Sequence, residues 1–304
     1  MKLWITYLRA IGAMFCWAIT FVWYKIAYET YLPYEVVFLR LLLASILLFA
    51  IMVISRHWQK MDRKDLWRMM IVAFFEPFLY FNGEANGMQF VSSSLGSIII
   101  ATIPIFAAIG AWLLLKERLS IYVILGVIVS CLGVGIMSFG GGDLHATLKG
   151  IMFLALAIFG AVGYGLTVRP LTLKYSTLTI VAYQSFFGAI YFLPMFIYFE
   201  GNHFLHVTHS ARGIYTIVAM SLFATIGAFA LFTDVIRSLG VAKSNIFTNL
   251  IPVFTVVLAF IILGDPISLR TIVGLSLTLL GLVLSQYADL KKLKQRYVLG
   301  KAEK

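Results

Sequence analysis

The sequence predicts an all-α membrane protein, with ten transmembrane helices arranged as a 5+5 inverted repeat. Three observations lead there. Apolar residues fill 61% of the 304 positions and charged residues only 12%, whereas soluble domains run near ~45–50% and ~25%. Apolar runs of about 20 residues, enough to cross ~30 Å of hydrocarbon, recur along the chain. The third observation is a repeated motif. Pro104-Ile105-Phe106, Lys116-Glu117-Arg118-Leu119-Ser120, Gly126 and Gly133 return 148 residues later as Pro252-Val253-Phe254, Gly264-Asp265-Pro266-Ile267-Ser268, Gly274 and Gly281.

Backbone polar groups in lipid must pair within the segment or within a closed barrel, and continuous apolar runs without alternation favour helices. In the first half the expected helices are Leu8–Ala27, Tyr34–Ile54, Leu66–Gln89, Leu95–Leu115 and Ile121–Phe139. The second half supplies Lys149–Val168, Thr179–Phe199, Arg212–Thr233, Val241–Leu263 and Arg270–Ala288. The third is interrupted at Glu76-Pro77 and ends in the polar stretch Asn82, Gly83, Glu84, Asn86. A cleaved signal peptide fits poorly, because Trp17, Trp23 and Tyr24 stand where small residues would mark cleavage.

Residues 140–148, opening Gly140-Gly141-Gly142-Asp143, form the expected linker between a first repeat (1–139) and a second (149–288), followed by a basic tail (289–304). Five spans per half is an odd number, so the second half enters the membrane with opposite polarity. The net charge of +11 is distributed by topology rather than as a nucleic-acid footprint. With both termini inside, Arg56, Lys60, Arg63, Lys64, Arg68, Lys174 and the tail lysines 291, 292 and 294 all face the cytoplasm, the positive-inside pattern. The tail reads as a solvated anchor, with contact to anionic lipid as the alternative. The expected location is the cytoplasmic (inner) membrane, multi-pass, with no nucleic-acid partner.

Pro104 and Pro252 each remove a helix hydrogen bond, and either set packing angles or bend matching helices around a cavity. Gly126 and Gly133, like Gly274 and Gly281, are seven apart on one helix face, suited to close packing between the halves or between two copies in a homodimer. Cys16 and Cys131 read as small apolar residues.

Trp17-Ala18 eight residues before Lys25, Pro33 before Phe38-Leu39-Arg40, and the run from Pro104 to Ser120 resemble the EamA-like drug/metabolite transporters. The likeness covers essentially the whole chain. It implies a ten-helix secondary carrier, often a metabolite exporter, with a central cavity bounded by helices one, three, four, six, eight and nine. The second copy departs from the pattern: Gly160 or Tyr164 replaces Trp17, Gln184 replaces Arg40, and Asp265-Pro266 replaces Glu117.

Glu76 is the candidate proton-coupling residue. A carboxylate at that depth costs about 2.5–3.5 kcal/mol on insertion scales, so it faces a wet cavity, meets a cation or stays protonated. The alternative is a protonated acid bonding a carbonyl freed by Pro77. Tyr80 shares its face four residues on, and Asn82 and Asn86 suggest an unwound helix end at a cavity mouth. Ser97 and Thr102 precede Pro104 as Asn245, Thr248 and Asn249 precede Pro252. They offer hydrogen bonds to a small polar solute or bridge helices. Gln184 and Thr225 are of the same kind. Trp17, Phe21 and Tyr164 could grip an apolar or cationic substrate, or simply pack. Lys25 and Arg40 read as snorkelling side chains near the outer boundary, with an anion-binding pair as the alternative. His203, His206 and His209 are expected in a loop and make a poor metal site.

No P-loop, zinc motif or catalytic triad is present in the sequence. The leading expectation is therefore a carrier without catalytic residues, metal or cofactor. The resemblance to the EamA-like family, and nothing else in the residues, implies amino acids or related metabolites as cargo and export as the direction. The expected mechanism is alternating access, with proton coupling as a candidate drive. An integral-membrane enzyme and a non-transporting scaffold are the alternatives.

Overall fold

A computed structural model describes residues 3–56, 58–115, 120–138, 144–239 and 246–302, and these contain helices and turns but no strand. The helices are α1 (Leu3–Ala27), α2 (Pro33–Ile54), α3 (Arg63–Ala73), α4 (Tyr80–Met88), α5 (Ser93–Ile100), α6 (Ile103–Leu115) and α7 (Ile121–Ser138). They continue as α8 (Leu144–Thr172), α9 (Thr177–Met195), α10 (Gly201–His206), α11 (Ala211–Ala219), α12 (Ala228–Leu239), α13 (Leu250–Leu263) and α14 (Leu269–Ala302). Seven described helical stretches are long and apolar enough to span a membrane: Trp4–Ala27, Pro33–Ile54, Ser93–Gly110, Ile121–Ser138, Thr147–Thr172, Thr177–His206 and Ala211–Phe232. Phe247–Leu263 and Leu269–Ser285 are shorter apolar helices.

Local chemistry explains the ends. Ser92, Ser176 and Ser210 accept hydrogen bonds from the backbone N–H groups of Leu95, Thr179 and Gly213, capping α5, α9 and α11. Pro33 occupies the first position of α2, where a missing N–H costs nothing. Gly264, at φ +73°, ends α13 in the left-handed conformation that glycine tolerates.

The prolines behave differently from the expected mid-helix kinks. The chain breaks just ahead of each, at residues 101–102 and in the 3₁₀ turn Ile246–Asn249, so Pro104 and Pro252 fall in the first turns of α6 and α13. There a proline removes no intrahelical bond. The stretch expected as one helix from Leu66 is α3 and α4 joined through a widened π-helical turn, Phe74–Leu79. Glu76 leaves helical geometry there (φ −144°, ψ 116°), and its bond to Pro77 is cis. A second widened turn, Met220–Gly227, joins α11 to α12. Two expectations need correcting at other ends. The segment 82–86 is regular α4 helix rather than unwound, because Gly83 and Gly87 let it lie directly on the α8 backbone at Phe153, Ala157 and Gly150. The chain after Ala288 continues as α14 to Ala302. Phe139 and Gly140–Asp143 of the expected linker lie outside the described residues, and α8 starts at Leu144.

Lys25 bonds the Met88 carbonyl and Tyr31 meets His209, so the turns after α1, α4 and α10 share one end of the bundle, called here the upper face. Asp62 and Asp65 bond Lys174 and Tyr175 at the other end, the lower face. The largest hydrophobic core lies toward the upper half, joining Tyr24, Val36, Phe81, Met88, Leu95, Phe192 and Met220. Four smaller apolar clusters lie elsewhere among the described residues.

The glycines of the repeated motif meet one another within the chain. A Cβ on Gly126 would lie 2.6 Å from the Gly281 carbonyl oxygen, and one on Gly133 2.6 Å from that of Gly274. The α7 and α14 helices therefore cross antiparallel through equivalent positions. Ser130 adds a 3.2 Å bond to the Thr278 carbonyl, its counterpart 148 residues on. This small-residue face packs one half on the other.

Candidate functional site

The polar groups buried between the halves converge on Glu84. Its carboxylate accepts hydrogen bonds from Tyr24 (2.9 Å, α1) and from Tyr80 (2.9 Å, one turn earlier in α4). Arg40 of α2 donates to the Tyr24 hydroxyl at 3.4 Å and to Thr225 Oγ1 at 3.0 Å, and its guanidinium lies 4.6 Å over the Phe81 ring. Arg40 and Glu84 are 3% and 4% exposed, so neither snorkels to the boundary as expected for Arg40. Seven residues separate Arg40 from Pro33, a depth of about 10 Å at 1.5 Å per residue. A buried cation at that depth requires partners, and here it has a ring, two hydroxyls and a carboxylate one hydroxyl away.

The widened turn Met220–Gly227 completes this constellation. It leaves Thr225 facing Arg40 and frees the Ala224 carbonyl to accept a 3.2 Å bond from the Trp17 indole. Ser221 in the same turn donates to the Arg40 carbonyl at 3.1 Å. Four elements from both halves are thereby tied: α1, α2, α4 and the α11–α12 turn.

Glu76 sits one helical turn before Tyr80, at the break ahead of Pro77. Its half-buried carboxyl accepts no hydrogen bond from a described residue. Glu84 and Arg40 of the network, together with Tyr80 and Tyr164, are its electrostatic neighbours. Gly160 permits this approach, since a Cβ there would lie 2.8 Å from the Phe75 carbonyl and the Tyr80 nitrogen. Two further oxygens are buried without a partner among the described residues, Gln184 Oε1 and Asn249 Oδ1. Orphan acceptors of this kind are satisfied by water or by a ligand donor.

Other sequence candidates are used differently. The Ser97 and Thr102 hydroxyls donate to Ser94 and Ile99 carbonyls of their own helical segment. Asn82 accepts from Asn86 on the side of α4 turned away from Tyr80 and Glu84. Phe21 is core, 3% exposed. Trp17 spends its donor on Ala224 and stacks edge-on to Phe229 and Phe232. Thr248 sits in the 3₁₀ turn with Asn249, and Asn245 lies outside the described residues. His203 is helical rather than in a loop and bonds Glu35 at 2.7 Å. Sequence reasoning passed over Tyr24 and Glu84 as binding groups. The signal available was charge balance: Arg40 and Glu84 are opposite charges in neighbouring apolar stretches.

Outside the spanning segments, Lys174 and Tyr175 bond Asp65 and hold its carboxyl below the usual carboxylate range. The same contacts with Asp62 and Asp65 raise the Lys174 ammonium.

Comparison with known proteins agrees with this architecture. The model of the EamA-like transporter family matches the chain twice, over residues 4–139 and 148–287. An uncharacterized transporter of Bacillus subtilis, YetK, is 28% identical over 249 residues, 80% of this chain and 75% of its own length. An uncharacterized transporter of Archaeoglobus fulgidus is 25% identical, covering 93% of this chain and 98% of its own. A probable terminal-alkyne amino-acid exporter of Streptantibioticus cattleyicolor is 27% identical over 65% of each chain. One solved structure shares the fold, with a TM-score of 0.68 at 15% identity over 94% of this chain and 99% of that one.

Proposed function

Because the chain belongs to the EamA-like transporter family, we propose that it is a secondary carrier of small polar metabolites, with amino acids or related compounds as the substrate class. The observation carrying this reading is the bonded polar chain Thr225–Arg40–Tyr24–Glu84–Tyr80 between the two halves. A solute with opposite charges finds there a guanidinium and a carboxylate already desolvated, held apart by one tyrosine hydroxyl. The exporter among the relatives supports the substrate class.

The ten-span topology joins the seven long spans and two shorter apolar helices with the broken helical segment over residues 66–88. The antiparallel crossing of α7 on α14 through equivalent glycines supports the inverted 5+5 repeat. The lower face, bearing Arg56, Lys60, Arg63, Lys64 and Arg68, is then cytoplasmic with both termini, and the protein resides in the inner membrane. Its partners are the solute and the bilayer.

The large core on the upper side and the Tyr24–Glu84, Tyr28–Ala85 and Lys25–Met88 bonds from α1 to α4 close the outward route. Alternating access then requires these bonds to break as solute moves outward. Glu76, unpaired at the helix break beside Tyr80 and Tyr164, is the proton carrier in this reading.

Flux of labelled amino acids in proteoliposomes tests both parts. Arg40→Gln and Glu84→Gln are expected to reduce flux at least about tenfold, a loss of about 1.4 kcal/mol of transition-state stabilisation or more. Undiminished flux in both would remove the site. Glu76→Gln is expected to abolish dependence on a pH gradient, and an unchanged dependence would remove proton coupling at that residue.

A further inference from the structure

A cavity of about 400 Å³ opens at the upper face, and none of the Glu84 network lines it. Lys25 and Asp265 line it from the two halves, with the Gln89–Ser92 turn and Leu263 completing the wall. No ion pair joins the two charges, although their fields interact. Lys25 spends one of its three N–H donors on the Met88 carbonyl at 2.6 Å, leaving the others for a ligand. The Asp265 carboxylate has no side-chain hydrogen bond to a described residue. Its place is set by backbone: Gly264 turns the chain at φ +73°, and the Asp265 N–H returns to the Ala259 carbonyl at 3.2 Å.

Phe90, Val91 and Leu263 make the apolar part of the wall, and Gln89 and Ser92 its polar part. Lys149 covers the Phe90 ring at 4.4 Å and adds a second positive charge at that side. An ammonium with donors to spare and a carboxylate without a bond to a described residue, lining one cavity together with apolar side chains, suit a molecule bearing both charges and a hydrocarbon substituent. A singly charged solute satisfies one end and leaves the other unmatched.

We propose that this cavity is an outer binding site for zwitterionic solutes with an apolar side chain, Lys25 taking the carboxylate and Asp265 the ammonium group. Its role as an exit station rests on the transport reading, whereas binding there does not. Lys25 also belongs to the α1–α4 seam through its bond to Met88, so a carboxylate that captures its ammonium competes with a bond that closes the outward route.

The test uses protein in nanodiscs with Cys16 and Cys131 replaced by serine and Gln89→Cys placed at the cavity wall. Leucine is expected to protect that cysteine from a methanethiosulfonate reagent. Isoamylamine and 4-methylvalerate, each lacking one charge, are expected to need concentrations about tenfold higher or more. Lys25→Met and the milder Asp265→Asn should each raise the half-protecting leucine concentration about tenfold. Elution as a single symmetrical peak and an unchanged melting temperature report whether each variant is folded. Absent protection, equal protection by the analogues, or unchanged protection in a folded Asp265→Asn protein overturns the site. Protein that is protected but carries no amino-acid flux keeps the site and loses the transport reading; flux without protection does the reverse.

Discussion

At the upper face Tyr31 lies two residues ahead of α2 and packs on the turn before α11. At the lower face Tyr175 lies two residues ahead of α9 and packs on the turn before α3. The upper tyrosine stacks on His209, bonds its Nδ1 at 3.1 Å, and leaves no room for a Cβ at Gly213. The lower one donates to Asp65 at 2.9 Å and accepts from the Asp62 N–H at 3.0 Å. Around them the charges differ in kind. Buried Glu35 and Glu200 are served above by His203 and backbone N–H groups, while below Asp65 is served by Lys174 and Arg68. One packing plan thus holds both ends, but the lower latch is built from lysine and arginine and the upper from an imidazole and backbone N–H groups.

Removing the rings should break the comparison most sharply. Tyr175→Ala and Tyr31→Ala are each expected to cost about 3–5 kcal/mol, the range for deleting a buried aromatic. The phenylalanine variants then sharpen it. Tyr175→Phe deprives a buried carboxylate and a backbone N–H of their partner and should cost about 1–3 kcal/mol, against about 0.5–1.5 for Tyr31→Phe. Unfolding titrations in mixed micelles measure all four, and equal penalties for the two phenylalanine variants would mean that the lower hydroxyl does not hold its end.

Acid provides the next separation. The Asp65 carboxyl is depressed by Lys174 and Tyr175, so its contribution is fully present above the unfolded value near ~3.9 and disappears as pH falls through the lower folded value. Melting temperature should therefore show an Asp65-dependent decline only in that acid range, and the decline should be absent in Asp65→Asn. The smallest effect belongs to the Glu29–Arg212 pair of the upper face, 3.0 Å apart with both side chains more than half exposed. Glu29→Gln should shift stability by no more than about 0.5 kcal/mol in the same titration, as exposed pairs do.

Much of the fold was legible because bilayer insertion and proline leave marks in composition. The apolar runs, the Glu76-Pro77 break and the paired prolines all answer to local rules. The break ahead of each proline was harder to place, since a proline in a first turn and a proline in a kink look alike in sequence. The site was less legible. Glu76 drew attention through depth, yet the bonded centre is Glu84, whose burial depends on Gly83 and Gly87 pressing α4 onto α8. Arg40 looked able to reach the boundary until Tyr24, Thr225 and Phe81 were seen to surround it. Ser97 and Thr102 looked like free hydroxyls, but a serine or threonine within a helix readily bonds its own backbone.

The crossing of α7 and α14 has the arithmetic of a two-fold dimer contained in one polypeptide. Gly126 meets Gly281 and Gly133 meets Gly274, so each contact has a reciprocal contact made by the equivalent residues with roles exchanged. In an assembly of separate subunits this would be an isologous interface. A bulky replacement at Gly126 strains one of the two reciprocal contacts, and the matching replacement at Gly274 strains the other. A side chain larger than hydrogen in either copy of the motif is thereby opposed by the backbone of the other, with both partners carried on one chain.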